Sequence, residues 1–315
     1  MEKLIQKIII DTDPGHDDAM ALLMLLAVPQ IEILAITTVA GNTTIENATR
    51  NTKYILGLVK KENTPLFAGS AKPIERDLIV ANVHGKSGLD GSGAELLPIE
   101  KTIEQATDEI IEIIKQNPGE VTLLTLGPLT NIAKAFLKEP SLPKMVKQII
   151  MMGGAIAVPG NKNRVAEFNF FVDPEAAKIV FDSEVKKVLV PLDACNDIVL
   201  PEQSIKEIKE RAGNVGKILS NMLVPYVENI KKYDNMAGAL MYDPLAAYYL
   251  INPSAFLLEE MDIKIETKGE YTFGMSVAER RVGALKNPNT KVAIKINGQK
   301  FIDDFVELII KLDKA

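Results

Sequence analysis

Only one cysteine, two histidines and no tryptophan occur in 315 residues. A lone thiol, Cys195, cannot close an internal disulfide, and no Cys cluster exists to hold zinc. It reads as a partly buried, inert side chain. Surplus positive charge is also missing: 36 Lys and Arg stand against 42 Asp and Glu, for a net −6. Nucleic acid polymers are held through basic patches that release counterions, so that class of partner is excluded. A small or neutral substrate suits the balance better. No membrane partner is expected, because the longest apolar run of the first helical pattern, Ala19 to Val28, falls well short of the roughly 20 residues that a spanning helix needs. The N-terminus reaches a strand within a few residues and shows no signal-like segment. Together with the lone thiol this predicts a reducing cytoplasm. Internal repeats and low-complexity linkers are absent too, and a hydrophobic content of 47% supplies core enough for one domain over residues 1–315.

Two hydrophobic rhythms alternate along the chain. Apolar runs at Lys7–Ile10, Ile31–Val39, Pro65–Gly69, Val121–Leu126, Lys147–Met152 and Lys186–Val190 have strand length. Helical patterns lie between or after them at Asp17–Ala27, Thr44–Lys60, Thr102–Gln116, Leu129–Leu137, Pro201–Arg211 and Val215–Lys231. Asp173-Pro-Glu is a helix start, with Asp as N-cap and Pro at the first helical position. Asp243-Pro244 opens another helix. Strands near Asp262–Glu266 and Lys291–Ile296 precede a last helix, Lys300–Leu312. Alternation of this kind predicts an α/β fold: an open, mostly parallel, Rossmann-like sheet flanked by helices. Ligands of such sheets bind beyond the carboxyl ends of the strands. Asp13, Asn42, Leu126-Gly127 and Met152-Gly153 each follow a predicted strand, so they should converge on one edge. Two segments break the rhythm, Ser70–Pro98 and Ala155–Val165, and an irregular stretch as long as the first is either functional or disordered.

Asp11, Asp13, Asp17 and Asp18 fall within eight residues around a Pro14-Gly15 turn. Helix capping accounts for Asp17 or Asp18. It does not account for all four, because like charges this close need a cation or a raised pKa. Hard oxygen ligands suit calcium or magnesium. Asp243 could complete such a site or could simply cap its own helix.

These residues resemble the inosine–uridine preferring nucleoside hydrolases over essentially the whole chain. The resemblance is carried by Asp11-Thr-Asp-Pro-Gly-His-Asp-Asp18, Thr37-Thr-Val-Ala-Gly-Asn42, His84-Gly85, Leu126-Gly-Pro-Leu-Thr-Asn131, Met152-Gly-Gly154, Ala166-Glu-Phe-Asn169 and Asp243-Pro244. It implies calcium-dependent cleavage of ribonucleosides into base and ribose. The ion would be held by Asp13, Asp18, the Leu126 carbonyl and Asp243, with Asp13 as general base toward water. Asp17, Asn161, Glu167 and Asn169 would hold the ribose hydroxyls. Asn42 would support the aspartates, and Met152, His84 and Phe168 would line the pocket. A homodimer or homotetramer is implied as well.

Two departures bear on the leaving base. Many members carry His directly before the last aspartate, as the acid that protonates the base; here it is Tyr242, whose phenol, with an ordinary pKa of about 10, is a weaker acid. Another branch stacks purines on tryptophan, and this chain has none. Base contact therefore falls to Tyr226, Tyr233, Tyr242 and His84, while His16 is expected either to support the site residues from behind or to be structural. The departures lead to an expectation of broad or pyrimidine-leaning preference. Two other readings compete: a magnesium phosphohydrolase opened by Asp-x-Asp, although Gly15 stands where that class has Thr or Val, and a nucleoside or ribose binder without catalysis.

Overall fold

The computed structural model describes residues 5–233, 235–284 and 287–312. The chain begins with β1 (Gln6–Thr12), α1 (His16–Leu26), β2 (Ile31–Thr38), α2 (Ile45–Leu58) and β3 (Leu66–Ala68). After the long irregular segment come α3 (Ala106–Gln116), β4 (Thr122–Thr125), α4 (Thr130–Lys138), β5 (Gln148–Met152), α5 (Phe168–Val172), α6 (Pro174–Asp182) and β6 (Lys187–Val190). Next are α7 (Leu192–Cys195), β7 (Val199–Leu200), α8 (Glu202–Arg211), α9 (Asn214–Tyr233), β8 (Ala239–Leu240) and α10 (Tyr242–Ile251). The C-terminal part adds β9 (Phe256–Met261), β10 (Ile263–Ile265), β11 (Ser276–Ala278), β12 (Thr290–Ile296) and α11 (Gly298–Leu312).

Eight strands form one sheet in the order β3-β2-β1-β4-β5-β6-β12-β9. All neighbours are parallel except β12 and β9. The inner strands carry near-continuous apolar runs because helices cover both faces. Ile8 and Ile10 belong to one buried cluster and Ile9 to the other, so successive side chains of β1 feed opposite layers. Helix α1 is buried from His16 to Leu25, between sheet and outer helices. Complete burial of a side chain such as Leu22 or Leu23 stabilises by about 1.5–3 kcal/mol. No helix among the described residues is long and apolar enough to cross a membrane.

Several elements differ from the sequence reading. Helix α3 starts at Ala106 rather than Thr102. The strand expected near Asp262–Glu266 is β10, which among the described residues pairs with β11 alone in a small antiparallel ribbon. The large sheet instead takes β9 as its antiparallel edge, a strand that periodicity did not reveal. Asp173 caps α6 as expected, its carboxylate accepting from the Ala176 amide at 3.0 Å. Asp243 is not an N-cap: Met241 holds that position and Asp243 lies in the first turn of α10. Cys195 is fully rather than partly buried, and burial drives its thiol pKa well up.

Candidate active site

The strand order reverses direction between β1 and β4, which makes their carboxyl ends the crevice of the sheet. Asp13 follows β1 directly and Leu126 follows β4 directly. Backbone approaches Asp13 closely from two sides. A Cβ on Gly41 would come within 2.1 Å of its Oδ2, and one on Gly127 within 2.5 Å of its Oδ1. Side chains at these positions would therefore close the site. Asp13 Oδ2 accepts from the Asn42 amide at 2.5 Å, while Oδ1 is buried without a hydrogen-bond partner among the described residues.

Asp18 is the most thoroughly fixed carboxylate. It accepts from Thr12 Oγ1 at 2.5 Å, the Gly15 amide at 2.9 Å, Asn42 Nδ2 at 3.1 Å and the Asp13 amide at 3.3 Å. The bond from Gly15 caps the start of α1, so capping and site-building share one residue. Asp17, Asp18 and Asp243 gather with one oxygen from each within 4.8 Å of the others. Asp17 Oδ1, like Asp13 Oδ1, is buried without a hydrogen-bond partner. Burial drives the pKa values of Asp13, Asp17 and Asp243 well above the usual carboxylate range, and the neighbouring carboxylates add to the rise. Asp18 is raised by burial too, with its hydrogen bonds pulling the other way. Only protonation or a cation relieves such a cluster. The donor set is all oxygen and includes two bare, buried carboxylate atoms, so these residues fit a hard divalent ion.

A second layer holds the first. Asp11 accepts from Thr37 Oγ1 at 2.5 Å and Asn131 Nδ2 at 2.8 Å, and burial lifts its pKa to about 7. Asn169 Nδ2 donates to the Leu126 carbonyl at 2.7 Å and lies 3.3 Å from that of Met152, tying the ends of β4 and β5 together. Glu167 caps α5: its Oε1 accepts from the Asn169 amide at 2.8 Å, and its Oε2 from the Gly154 amide at 3.0 Å. Burial raises its pKa to about 7. Asn161 accepts from the Phe168 amide at 2.8 Å, which folds the second irregular segment over the crevice.

A cavity of about 320 Å³ stands above the carboxylates. Asp17, Asn42, His84, Leu126, Met152, Asn161, Glu167, Phe168, Asn169, Tyr226, Tyr233, Tyr242 and Asp243 all line it. The sequence-derived candidates therefore converge from all over the chain, with Asp13 and Asp18 packed beneath. His84, His16 and Tyr226 form a stack, with ring centroids 4.8 to 5.5 Å apart. The His16 amide donates to His84 Nδ1 at 3.2 Å, and His84 Nε2 stands 3.8 Å from Asp17 Oδ1. Burial, then His16, keeps the His84 pKa well below 6.5, so its ring is neutral. His16 is buried, with its Nε2 3.1 Å from the Asp90 carbonyl oxygen. Tyr242 is half-buried, and its hydroxyl donates to Asn196 Oδ1 at 3.2 Å.

The sequence reading missed Asn82, Val83, Lys162, Ile230, Leu240 and Asn196. Ile230 was within reach: Tyr226, Ile230 and Tyr233 recur at helical spacing and share the cavity-facing side of α9. Asn196 carried no signal, because only the packing of α7 against α10 brings it to Tyr242.

A carboxylate centre of this kind, at the switch point of an open α/β sheet and beneath a closed-in cavity, defines a metal-dependent enzyme acting on a small molecule. The family model for inosine-uridine preferring nucleoside hydrolase matches residues 8–303. The chain belongs to that family, whose members hydrolyse the N-glycosidic bond of ribonucleosides. The chain is 36% identical over 302 residues to the pyrimidine-specific ribonucleoside hydrolase RihA of Salmonella paratyphi B, covering 95% of this chain and 97% of the relative. Among solved structures, a plant nucleoside hydrolase superposes with a TM-score of 0.90 at 29% identity, covering 97% of this chain and 99% of that one. A purine-preferring ribonucleoside hydrolase from Gardnerella vaginalis gives 0.88 at 27% identity, covering 98% and 99%. The phosphohydrolase and non-catalytic binder readings are set aside by this membership.

Proposed function

We propose that this ribonucleoside hydrolase works with calcium, uses Asp13 as general base, and accepts a broad or pyrimidine-leaning range of bases. The observation that carries the reading is the pair of buried, partnerless oxygens, Asp13 Oδ1 and Asp17 Oδ1, beside the Asp18–Asp243 carboxyls and under the cavity. Asp13, Asp18, Asp243 and the Leu126 carbonyl would hold the ion. Carboxylates and a carbonyl drawn from several loops suit the flexible, high coordination of calcium better than the strict octahedron of magnesium. Bound there, calcium would supply the positive charge that keeps these carboxyls ionised, and it would help to orient water.

The chain's own residues account for the remaining chemistry. Asp13 takes a proton from the attacking water through Oδ1, its other oxygen being held by the Asn42 amide. Asp17, Asn161, Glu167 and Asn169 receive the ribose hydroxyls and fix the sugar in place. Positive charge grows on the ribose ring as the glycosidic bond breaks. The carboxylate-rich pocket stabilises that charge. Tyr242 and His84 face the departing base, with Met152, Phe168 and Tyr226 as apolar walls. A pyrimidine-leaning preference is supported by the absence of tryptophan and by the pyrimidine-specific Salmonella relative. The single sheet reaching from residue 6 to 296 supports one domain. Its buried lone thiol suits a reducing cytoplasm, and self-association as a homodimer or homotetramer is expected from the family.

Release of free ribose from uridine, cytidine, inosine and adenosine, measured as reducing sugar with and without a calcium-selective chelator, tests the reading. Turnover of uridine and cytidine at or above the purine nucleosides, lost on chelation and restored by calcium, is expected. A strict purine preference would sink the base assignment, and chelator-insensitive turnover would sink the metal assignment.

A further inference from the structure

A second cavity, of about 410 Å³, opens between α2, β3 and the segment that leads into α3. Arg50, on α2, forms part of its wall. This arginine is only 7% exposed, yet it makes no ion pair among the described residues. Among the described residues its one hydrogen bond is long, from Nη2 to Asn51 Oδ1 at 3.4 Å, and its buried Nε has no partner. Asn51 is itself immobilised, because its amide nitrogen donates to the Pro14 and Ser87 carbonyls. The guanidinium is therefore tethered at one corner, and its other donors make no hydrogen bond among the described residues.

The acids around it are engaged elsewhere. Asp90 accepts from the Lys86 and Ser87 amides, Glu95 from the Gly93 amide, and Glu100 pairs with Lys53. Glu46 and Lys101 also border the cavity and offset one another in charge. Leu66, Ala68, Leu97 and Ile103 make up apolar wall. The Glu95 and Asp90 charges offset part of the cost of burying Arg50, yet burial prevails and holds its pKa down, so a bound anion would relieve what remains. The planar fork of arginine matches the paired oxygens of a carboxylate or phosphate group.

We propose that this cavity is a binding site for a small organic oxyanion, a carboxylate or phosphate head on a compact apolar body, gripped by Arg50. The site is separate from the ribose pocket and does not depend on the base preference or the metal assigned there.

Two probes separate the possible sources on the intact, calcium-loaded enzyme. Butyrate represents a carboxylate with an apolar tail. Sulfate represents the tetrahedral head without precipitating calcium. Each is compared with chloride at equal ionic strength by thermal melting and titration calorimetry, on wild type, Arg50→Met and Arg50→Lys. Wild type should be stabilised by at least one probe. Both variants should bind it more weakly by about tenfold or more, since Lys keeps the charge but not the fork. Arg50→Met should melt higher than wild type in chloride, because the unpaired cation is gone. A response to butyrate alone identifies a carboxylate ligand, and a response to sulfate alone a phosphorylated one. If neither probe stabilises wild type beyond chloride, or if Arg50→Lys binds as wild type does, the proposal fails. Uridine turnover, in which Arg50 has no part, reports that each variant is folded.

Discussion

The floor and the walls of the active-site cavity are built in different ways. The floor consists of strand ends and tight turns: Asp13 after β1, Leu126 after β4 and Asp18 under the Gly15 cap, each fixed by backbone or neighbouring side-chain bonds at 2.5 to 3.3 Å. The walls come from a long helix and two irregular segments. There the contacts include ring stacking and a 3.2 Å bond from Tyr242 to Asn196. A floor that must hold several carboxylates in fixed relation needs the rigidity of a sheet edge. Under the proposed roles, the wall residues on the base side can change without disturbing it. The pyrimidine-specific relative from Salmonella and the purine-preferring structure from Gardnerella, which both align with nearly all of this chain, fit that division.

The largest expected effect is on the floor. Asp13→Asn should lower kcat on uridine by about 10³-fold, the usual scale for losing a general base. The same change should raise the melting temperature of the metal-free protein, because it removes one of several mutually repelling buried carboxyls. Activity within a few-fold of wild type would show that the base lies elsewhere.

Removing the metal should uncover an inverted pH dependence of stability. Burial holds Asp11 and Glu167 at about 7, against ordinary values of 3.8 and 4.5, and Asp13, Asp17 and Asp243 also shift upward. The metal-free folded state thus keeps protons that the unfolded chain has released. Their contribution is fully present below about pH 4 and is lost as the pH rises through about 7. His16, pushed down to about 4, and His84 act in the opposite sense below 6.5, but the carboxyls outnumber them. Chelated protein should therefore melt at a higher temperature at pH 5 than at pH 8 in scanning calorimetry. Calcium should remove or reverse that difference. A chelated protein that melts higher at pH 8 would contradict the shifts.

Smaller effects separate sugar from base. Uridine should exceed 2′-deoxyuridine in kcat/KM by about 10- to 100-fold, since a missing hydroxyl leaves charged partners unpaired. Equal rates would mean that Asp17, Asn161, Glu167 and Asn169 do not grip the ribose. On the walls, Tyr226→Phe and Tyr242→Phe should each change kcat/KM by less than about tenfold, a lost neutral hydrogen bond being worth about 1 kcal/mol. What should move is the uridine-to-inosine ratio. An unchanged ratio in both variants would place base selection elsewhere, with Asn82 and Lys162 the next lining residues to substitute.

The floor was also the more legible half. Strand runs, the Pro14-Gly15 turn and the carboxylate density are local properties, so the β1 edge and its acidic motif could be read from periodicity and charge. Edge strand β9 escaped because its sequence, Phe-Leu-Leu-Glu-Glu-Met, is half exposed and shows no clean alternation. The early start predicted for α3 failed because residues 102 to 105 extend along the rim, where the Gln105 amide donates to the Ala68 carbonyl at 2.8 Å. The stacking of His16, His84 and Tyr226 joins residues up to 210 positions apart, and no local pattern encodes such a meeting.

By itself, the sequence determined the sheet class, the family, and a carboxylate group too dense to be explained by helix capping, because each depends on short-range spacing of residue types. Only the tertiary structure decided that Asp17, Asp18 and Asp243 share one buried point. It also decided that Asn169 ties Leu126 to Met152, that Tyr242 is bonded to Asn196, and that Arg50 lines a second cavity without an ion pair among the described residues. These depend on which distant surfaces pack together and on which polar atoms that packing leaves without water.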